Sequence, residues 1–223
     1  MKVYLAVDVK KGRVVWGKGG KREEYVPIDK VSKVAKRSDL KEFFEDLKVK
    51  RAYVADLDRI ESVGDNLEEI NEVAKKVEMI VDGGFREVEE AFGYNFTPIF
   101  ATETFDVRKL VNFGECIVSV DFKEKLLDAS KSFKDFEDIL EFLNALKLKA
   151  VIILPIHSVG RYSFDFSLLE KALNVLNHRI IAGGGLKPED LDKLKDLGVY
   201  GAIIGTAFHQ GRLSPEIISR GEY

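Results

Sequence analysis

Two kinds of short segment alternate along the whole chain, and apolar residues define both of them. Largely apolar runs of three to five residues are typical of strands buried on both faces of a parallel sheet. They predict strands at residues 3–7, 51–55, 78–81, 98–100, 116–120, 150–154, 180–182 and 200–204. Between them, apolar residues three or four positions apart are typical of one helix face. This spacing predicts helices around residues 40–47, 67–73, 88–92, 106–113, 136–143, 166–176 and 188–197.

Strands that alternate with helices over short connections predict a closed parallel (β/α)8 barrel, the TIM-barrel fold of the α/β class. An open, doubly wound parallel sheet is the alternative arrangement for the same pattern. The chain has 223 residues, and we expect one domain that spans residues 1–223.

A degenerate internal repeat favours the barrel over the open sheet. Gly83 and Gly184 lie 101 residues apart, in the similar turns Asp-Gly-Gly-Phe and Gly-Gly-Gly-Leu. Asp8 and Asp121 each follow a valine at the end of a predicted strand and lie 113 residues apart. One half-barrel leaves open strand edges, which a second copy closes. We therefore predict two duplicated half-barrels, at approximately residues 1–113 and 114–223.

Glycine turns follow the last two predicted strands. Gly183, Gly184 and Gly185 come directly after residues 180–182, and Gly205-Thr206 follows residues 200–204. In a βα-barrel, the turns after strands seven and eight commonly hold a phosphate with backbone N–H groups. The alternative interpretation is that these glycines only make tight connections, as they do in many α/β proteins.

Composition narrows the class of partner and ligand. Charged residues make up 33% of the chain but the formal net charge is only -3, so we expect neither nucleic acid nor an anionic membrane as partner. No apolar run approaches the ~20 residues that a membrane span needs, and no secretory leader is recognisable, so we expect a cytoplasmic protein. Cys116, the single cysteine, falls in an apolar run typical of a buried, inert thiol. His and Cys show no metal-ligand spacing, and we expect no metal.

Several segments together resemble one enzyme family. They are VDVKKGRVV at 7–15, ADLDRI at 55–60 with Asn66, DGGFR at 82–86, SVDF at 119–122, AGGGLKPEDL at 182–191 and IGTAF at 204–208. The combination is similar to the HisA/HisF family of histidine biosynthesis, whose members are duplicated half-barrel enzymes acting on phosphoribosyl substrates. The pattern is nearer to HisA, the phosphoribosylformimino-aminoimidazole-carboxamide ribotide isomerase branch, than to the HisF cyclase branch.

The resemblance implies an Amadori rearrangement of an aminoaldose to an aminoketose, without a cofactor, on a phosphorylated small molecule. It implies that Asp8 is the base and Asp121 the acid. By sequence alone the two are equivalent under the repeat, and the alternative interpretation is that each caps the turn that follows it. It also implies a substrate- or phosphate-binding set, Gly83, Gly84, Arg86, Thr102, Gly183, Gly184, Gly185, Gly205 and Thr206. Lys18, Asp56, His157 and Arg161 are further candidates from their places in this sequence. We expect no glutaminase partner, and the oligomeric state is left open.

Departures from the family pattern concentrate in the first half and after the sixth strand. Asp82 stands where a third glycine is usual, and Glu103 follows Ala101-Thr102 where a Gly-Thr pair is usual. Carboxylates repel a phosphate dianion, so we predict a weaker anion site in the first half. In the stretch 154–161 only the glycine matches, and His157 is the new titratable group there. Two alternatives therefore stay open: a diverged lyase or cyclase acting on a mono-phosphorylated sugar, and a non-catalytic phosphosugar-binding barrel.

Overall fold

Eight parallel strands close into a barrel in the computed structural model, which describes all 223 residues. The ten strands of the sheet are β1 (Lys2–Lys10), β2 (Arg13–Trp16), β3 (Val26–Pro27), β4 (Arg51–Asp56), β5 (Glu78–Asp82), β6 (Thr97–Ala101), β7 (Cys116–Phe122), β8 (Leu148–Pro155), β9 (Ile180–Gly183) and β10 (Gly201–Ile204). Around the barrel the order is β1-β4-β5-β6-β7-β8-β9-β10, and β10 pairs with β1 to close it. The predicted (β/α)8 barrel is confirmed, and the open sheet is excluded.

Helices cover the outside of the barrel less evenly than the sequence predicts. The α-helices are α1 (Leu40–Asp46), α2 (Leu57–Ile60), α3 (Leu67–Ala74), α4 (Phe136–Leu143), α5 (Phe166–Val175), α6 (Asp190–Asp196), α7 (Thr206–His209) and α8 (Pro215–Arg220). The helices predicted around 88–92 and 106–113 are only 3-10 turns, at Val88–Ala91 and Val107–Leu110. These two connections have 14 residues each, which must turn twice and run back along the barrel, leaving room for little more than one helical turn. No helix of the structure has the length and apolar character that a bilayer span requires.

Alternate residues of each strand face opposite sides, and this separates two apolar clusters. A cluster of 52 buried residues fills the space between the barrel and the helices. A smaller cluster of 14 buried residues lies mainly inside the barrel and includes Tyr53, Ile80, Ile99 and Ile181. Strands buried on both faces explain the continuous apolar runs of the sequence. The closed interior leaves the carboxyl ends of the strands as the place where polar side chains can converge. The division into two half-barrels stays a prediction.

A β-hairpin extends from β1 and brings residues 17–25 over the carboxyl ends of the strands. Strand β2 pairs antiparallel with β1, with Asp8 opposite Val15, and β3 pairs antiparallel with β2. The N–H of Lys11, in the hairpin turn, donates to Asp58 Oδ2 at 2.5 Å, and Gly12 N–H donates to Asn66 Oδ1 at 2.8 Å. The hairpin is therefore anchored to the next βα unit, which holds the connection from β2 to β3 above the barrel.

Candidate active site at the barrel mouth

The carboxyl ends of the strands surround a cavity of about 970 Å³, counting the part open to solvent. We call it the mouth cavity. Both predicted catalytic aspartates line it, Asp8 from β1 and Asp121 from β7. In the strand order these two strands are diametrically opposite, so the two carboxyl groups project into the cavity from opposite sides.

Asp8 presents a carboxylate without a hydrogen-bond partner in the protein. Gly17, on the hairpin, packs so closely on Asp8 Oδ2 that a side chain at position 17 would collide with it. Burial raises the pKa of Asp8 from 3.8 to about 6, and the positive charge of Arg22 opposes that rise. The group is therefore mostly ionised at neutral pH yet close enough in pKa to accept a proton during a reaction.

Asp121 is buried and hydrogen-bonded on both oxygens. Its Oδ1 accepts a hydrogen bond from Ser119 Oγ at 2.6 Å, and its Oδ2 accepts one from the Glu103 N–H at 3.2 Å. Burial, reinforced by the nearby negative charge of Asp82, raises the pKa of Asp121 well above its ordinary value, while the Ser119 hydrogen bond opposes that rise. The two carboxyl groups thus differ in their surroundings, since Asp121 accepts two hydrogen bonds and Asp8 accepts none. Carboxyl groups in different environments can divide acid and base roles.

The glycine turns of the second half open onto the mouth cavity. Gly184, Gly185, Gly205 and Thr206 all line it, whereas Gly183 is the buried last residue of β9 and does not. Gly184 and Gly185 have φ of +92° and +82°, which L side chains rarely adopt, and the Gly184 Cα lies close to the carbonyl of Pro155. Glycine turns let the backbone approach a ligand closely, and successive N–H groups exposed in a turn can form a concave surface suited to anions.

The corresponding residues of the first half do not line the cavity. Gly83 packs on the ring of Phe85, and Gly84 packs on the backbone of α2. The hydroxyl of Thr102 accepts a hydrogen bond from the Asp121 N–H at 2.9 Å. The guanidinium of Arg86, a predicted phosphate ligand, donates instead to backbone carbonyls, including that of Gly84 at 2.6 Å. These four residues contact the protein's own first half and do not line the cavity. Their predicted contact with phosphate therefore stays a prediction.

Asp82 and Glu103 do line the cavity, as their place in the repeat predicts. Glu103, however, is not a free negative charge. Arg22 donates to its two oxygens at 2.8 and 2.6 Å, in a bidentate pair between the hairpin and the end of β6. Arg22 was missed by sequence reasoning because it stands in an ordinary charged run, Lys-Arg-Glu-Glu, with no motif around it. The basic side chain that lines the mouth cavity on the side of the first half is therefore Arg22, not Arg86.

The four further candidates all lie outside the cavity lining. Asp56 is buried and accepts hydrogen bonds from the backbone and side chain of Asn66, both at 2.7 Å. Lys18 and Arg161 are exposed, with the Arg161 guanidinium over Gly19. His157 lies in the 3-10 turn after β8, and its Nδ1 is buried without a hydrogen-bond partner.

His209, at the end of α7, also lines the cavity, although it is not among the candidate residues drawn from the sequence. Ser32 Oγ accepts hydrogen bonds from the N–H groups of Val34 and Ala35, and it lies 3.0 Å from His209 Nδ1. The serine proton therefore points to Nδ1, which leaves the imidazole proton on Nε2. Burial lowers the pKa of His209 to about 4, so the ring is neutral at physiological pH.

Comparison with known proteins gives both a family and a fold. A family model described as histidine biosynthesis protein matches residues 2–214. An uncharacterized protein of Methanocaldococcus jannaschii is 32% identical over 98% of this chain and 97% of its own length. A 1-(5-phosphoribosyl)-5-((5-phosphoribosylamino)methylideneamino)imidazole-4-carboxamide isomerase of Thermoanaerobacter is 31% identical, covering 79% of this chain and 83% of its own. A 3-hexulose-6-phosphate synthase structure from Salmonella typhimurium has a TM-score of 0.57 at 14% identity, covering 99% and 96% of the two chains; this likeness shows the fold alone.

Proposed function

Because the chain belongs to the family of histidine biosynthesis proteins, we propose that it catalyses an aldose–ketose isomerisation of a phosphorylated aminosugar. Asp8 acts as the base and Asp121 as the acid. The observation that carries the proposal is the pair of carboxyl groups on opposite barrel strands, both lining one cavity. The pKa of each group is raised above that of an ordinary aspartate, which suits groups that exchange protons with a substrate. The assignment of the base to Asp8 and the acid to Asp121 follows the family resemblance.

The first step opens the sugar ring. Asp121 donates its proton to the ring oxygen as the C1–O bond breaks, and the nitrogen lone pair forms a C=N bond. Asp8 then removes the proton from C2, and the electron pair moves through C1 to the nitrogen, giving an enolamine. Asp8 returns the proton to C1, while the Asp121 carboxylate takes the proton of the C2 hydroxyl, which becomes the ketone. Both carboxyl groups end in the state in which they began, as an acid–base catalyst requires.

The phosphate of the substrate lies at the second-half turns. Gly184, Gly185 and Gly205, or their immediate neighbours, donate backbone N–H groups to it, and Thr206 adds a hydroxyl beside them. The positive φ of the first two glycines supports this role.

The test is turnover of the bisphosphorylated aminoaldose used by the named isomerases and of aminosugar monophosphates. Asp8→Asn and Asp121→Asn should each lower kcat by at least ~10²-fold with little change in ligand affinity, the usual cost of removing an acid or base. Asp196→Asn, an exposed carboxylate at the end of α6, is the matched control and should leave kcat unchanged. Undiminished turnover in Asp8→Asn would contradict the base assignment.

A second candidate is a diverged reaction, of lyase or cyclase type, on a sugar with a single phosphate. The observation that favours it is the first half of the mouth, where Gly83, Gly84, Arg86 and Thr102 all lie outside the cavity lining. Turnover of monophosphates, but not of the bisphosphorylated aminoaldose, would select this candidate.

A further inference from the structure

One side of the mouth cavity carries three polar side chains, and two of them have atoms that the protein leaves without partners. We call it the acidic wall and define it as Tyr53 of β4, Asp82 of β5 and Glu103 at the end of β6. These are consecutive strands of the barrel, so the three side chains lie side by side. The acidic wall lies across the cavity from the strand pair β9–β10, whose glycine turns form the other side.

Asp82 and Tyr53 are almost completely buried yet incompletely hydrogen-bonded. Asp82 is 4% exposed; its Oδ1 accepts a hydrogen bond from Gly84 N–H at 3.1 Å, and its Oδ2 accepts none from the protein. Tyr53 is 5% exposed, and its hydroxyl makes no hydrogen bond within the chain. Both line the mouth cavity. Both side chains are more than nine-tenths buried, and their unpartnered oxygens have only the cavity from which to take a partner, so these two atoms point to a ligand that pairs with them.

The charges around Asp82 indicate what kind of ligand group that is. Arg22 is the only Arg or Lys side chain among the cavity residues, and Glu103 occupies it in a bidentate pair. No protein cation is left for Asp82. Burial and the nearby charge of Glu103 raise the pKa of Asp82 to about 7, so a cation bound beside it would lower that pKa and hold the carboxylate ionised. A phosphate dianion would have the opposite effect.

From this arrangement we infer that the acidic wall is a subsite for a primary ammonium group, donating hydrogen bonds to Asp82 Oδ2 and to the Tyr53 hydroxyl. The ligand class is a phosphorylated amine, with its phosphate at the second-half glycine turns and its amino group at the acidic wall. The inference rests on the proposed phosphate site for one end of the ligand. In such a ligand, an ammonium group stands where a bisphosphorylated substrate carries its second phosphate, and the two groups have opposite charge.

Two sugars that differ in a single group test the inference. Glucosamine 6-phosphate and glucose 6-phosphate differ only at C2, which carries an ammonium in the first and a hydroxyl in the second. In calorimetric titrations of the wild-type protein, we expect the amine to bind at least about tenfold more tightly, the effect of one charge-assisted hydrogen bond. Asp82→Asn should abolish this preference, and Tyr53→Phe should reduce it. Glu89→Gln, which removes an exposed carboxylate from the segment after β5, should keep the full preference.

The outcomes separate the two proposals. Equal affinity of the two sugars for wild type would overturn the ammonium subsite and leave the phosphate site standing. Tighter binding of glucose 1,6-bisphosphate than of glucosamine 6-phosphate would also overturn it. Absence of binding by both monophosphates would overturn the phosphate site and the inference with it. The wild-type comparison needs no variant, so a folding defect in Asp82→Asn does not affect the result.

Discussion

After β9, Gly184 and Gly185 line the mouth cavity, whereas after β5 the matching residues Gly83 and Gly84 lie against Phe85 and α2. The backbone differs as well, because both second-half glycines have positive φ, and in the first half only Gly84 does, at +58°. Similar sequence therefore gives one turn that offers its N–H groups to a ligand and one that is part of the packing.

The charged side chains that line the mouth cavity also differ between the two halves. The second-half turns face the cavity with backbone and a threonine hydroxyl, while the first half contributes Asp82 and the Arg22–Glu103 pair. The two glycine turns can differ in this way because each is built from its own residues and neighbours. Asp82 and the Arg22–Glu103 pair of the first half determine which group of a ligand can bind on that side of the cavity.

The largest effect that we expect comes from removing the carboxylate of the first-half turn. The folded protein holds the Asp82 proton up to about pH 7, whereas an unfolded aspartate releases it near pH 3.8. The free energy of unfolding therefore falls as the pH rises between those values. Asp82→Asn keeps the acceptor for Gly84 N–H and removes this cost, so we expect it to raise the free energy of unfolding by about 4 kcal/mol at pH 8.

Urea unfolding of wild type and Asp82→Asn at pH 4 and pH 8 measures this effect. The measurement at pH 4 is the internal control. There the folded carboxyl is protonated and the unfolded one, with a pKa near 3.8, is only about half ionised, so the difference should be under about 1 kcal/mol. The same stability difference at the two pH values would contradict the raised pKa and the charge assignment of the first half.

Matched glycine substitutions test the difference between the two turns directly. In Gly184→Ala, a methyl group meets the Pro155 carbonyl oxygen at 2.8 Å at a positive φ, so the backbone must shift. We expect about a tenfold loss of affinity for glucose 6-phosphate, since the strain of roughly 1–2 kcal/mol falls on the N–H groups that bind the anion.

In Gly83→Ala the methyl group meets the Phe85 ring at 2.5 Å, outside the cavity lining. This variant should unfold at a lower urea concentration but keep the wild-type affinity when folded. Loss of affinity in Gly83→Ala, with full affinity in Gly184→Ala, would reverse the assignment of the two turns.

The smallest expected effect concerns Arg86, which sequence resemblance assigns to phosphate. Its hydrogen bonds go to the carbonyls of Gly84, Arg59 and Ile60 at the surface of the first half. Arg86→Ala should lower the free energy of unfolding by about 1 kcal/mol, the net worth of a typical hydrogen bond, and leave the affinity for phosphate esters unchanged. Arg86→Lys controls for charge, and a loss of affinity in Arg86→Ala that Arg86→Lys restores would return this residue to the binding site.

Much of the architecture was predictable because its signals are local. Apolar runs and helical spacing identify the eight barrel strands, and the predicted strand cores all fall within or at the ends of the observed ones. The two unformed helices, at 88–92 and 106–113, show the limit of this reasoning, since connection length and packing decide whether a short apolar spacing becomes an α-helix. The strand ends also carry Asp8 and Asp121 to the mouth, because parallel strands of a barrel present their carboxyl ends together.

The sequence by itself determined the strands, their closure into a barrel, and the two aspartates and glycine turns at its mouth, since periodicity and glycine act over a few neighbouring residues. Only the tertiary structure decided which polar groups pair. Arg22 and Glu103 lie 81 positions apart in the chain, and Ser32 and His209 lie 177 apart. Their contacts, and the unpartnered Asp82 and Tyr53 beside them, depend on where strands and hairpin meet around the closed barrel, which short-range pattern does not encode.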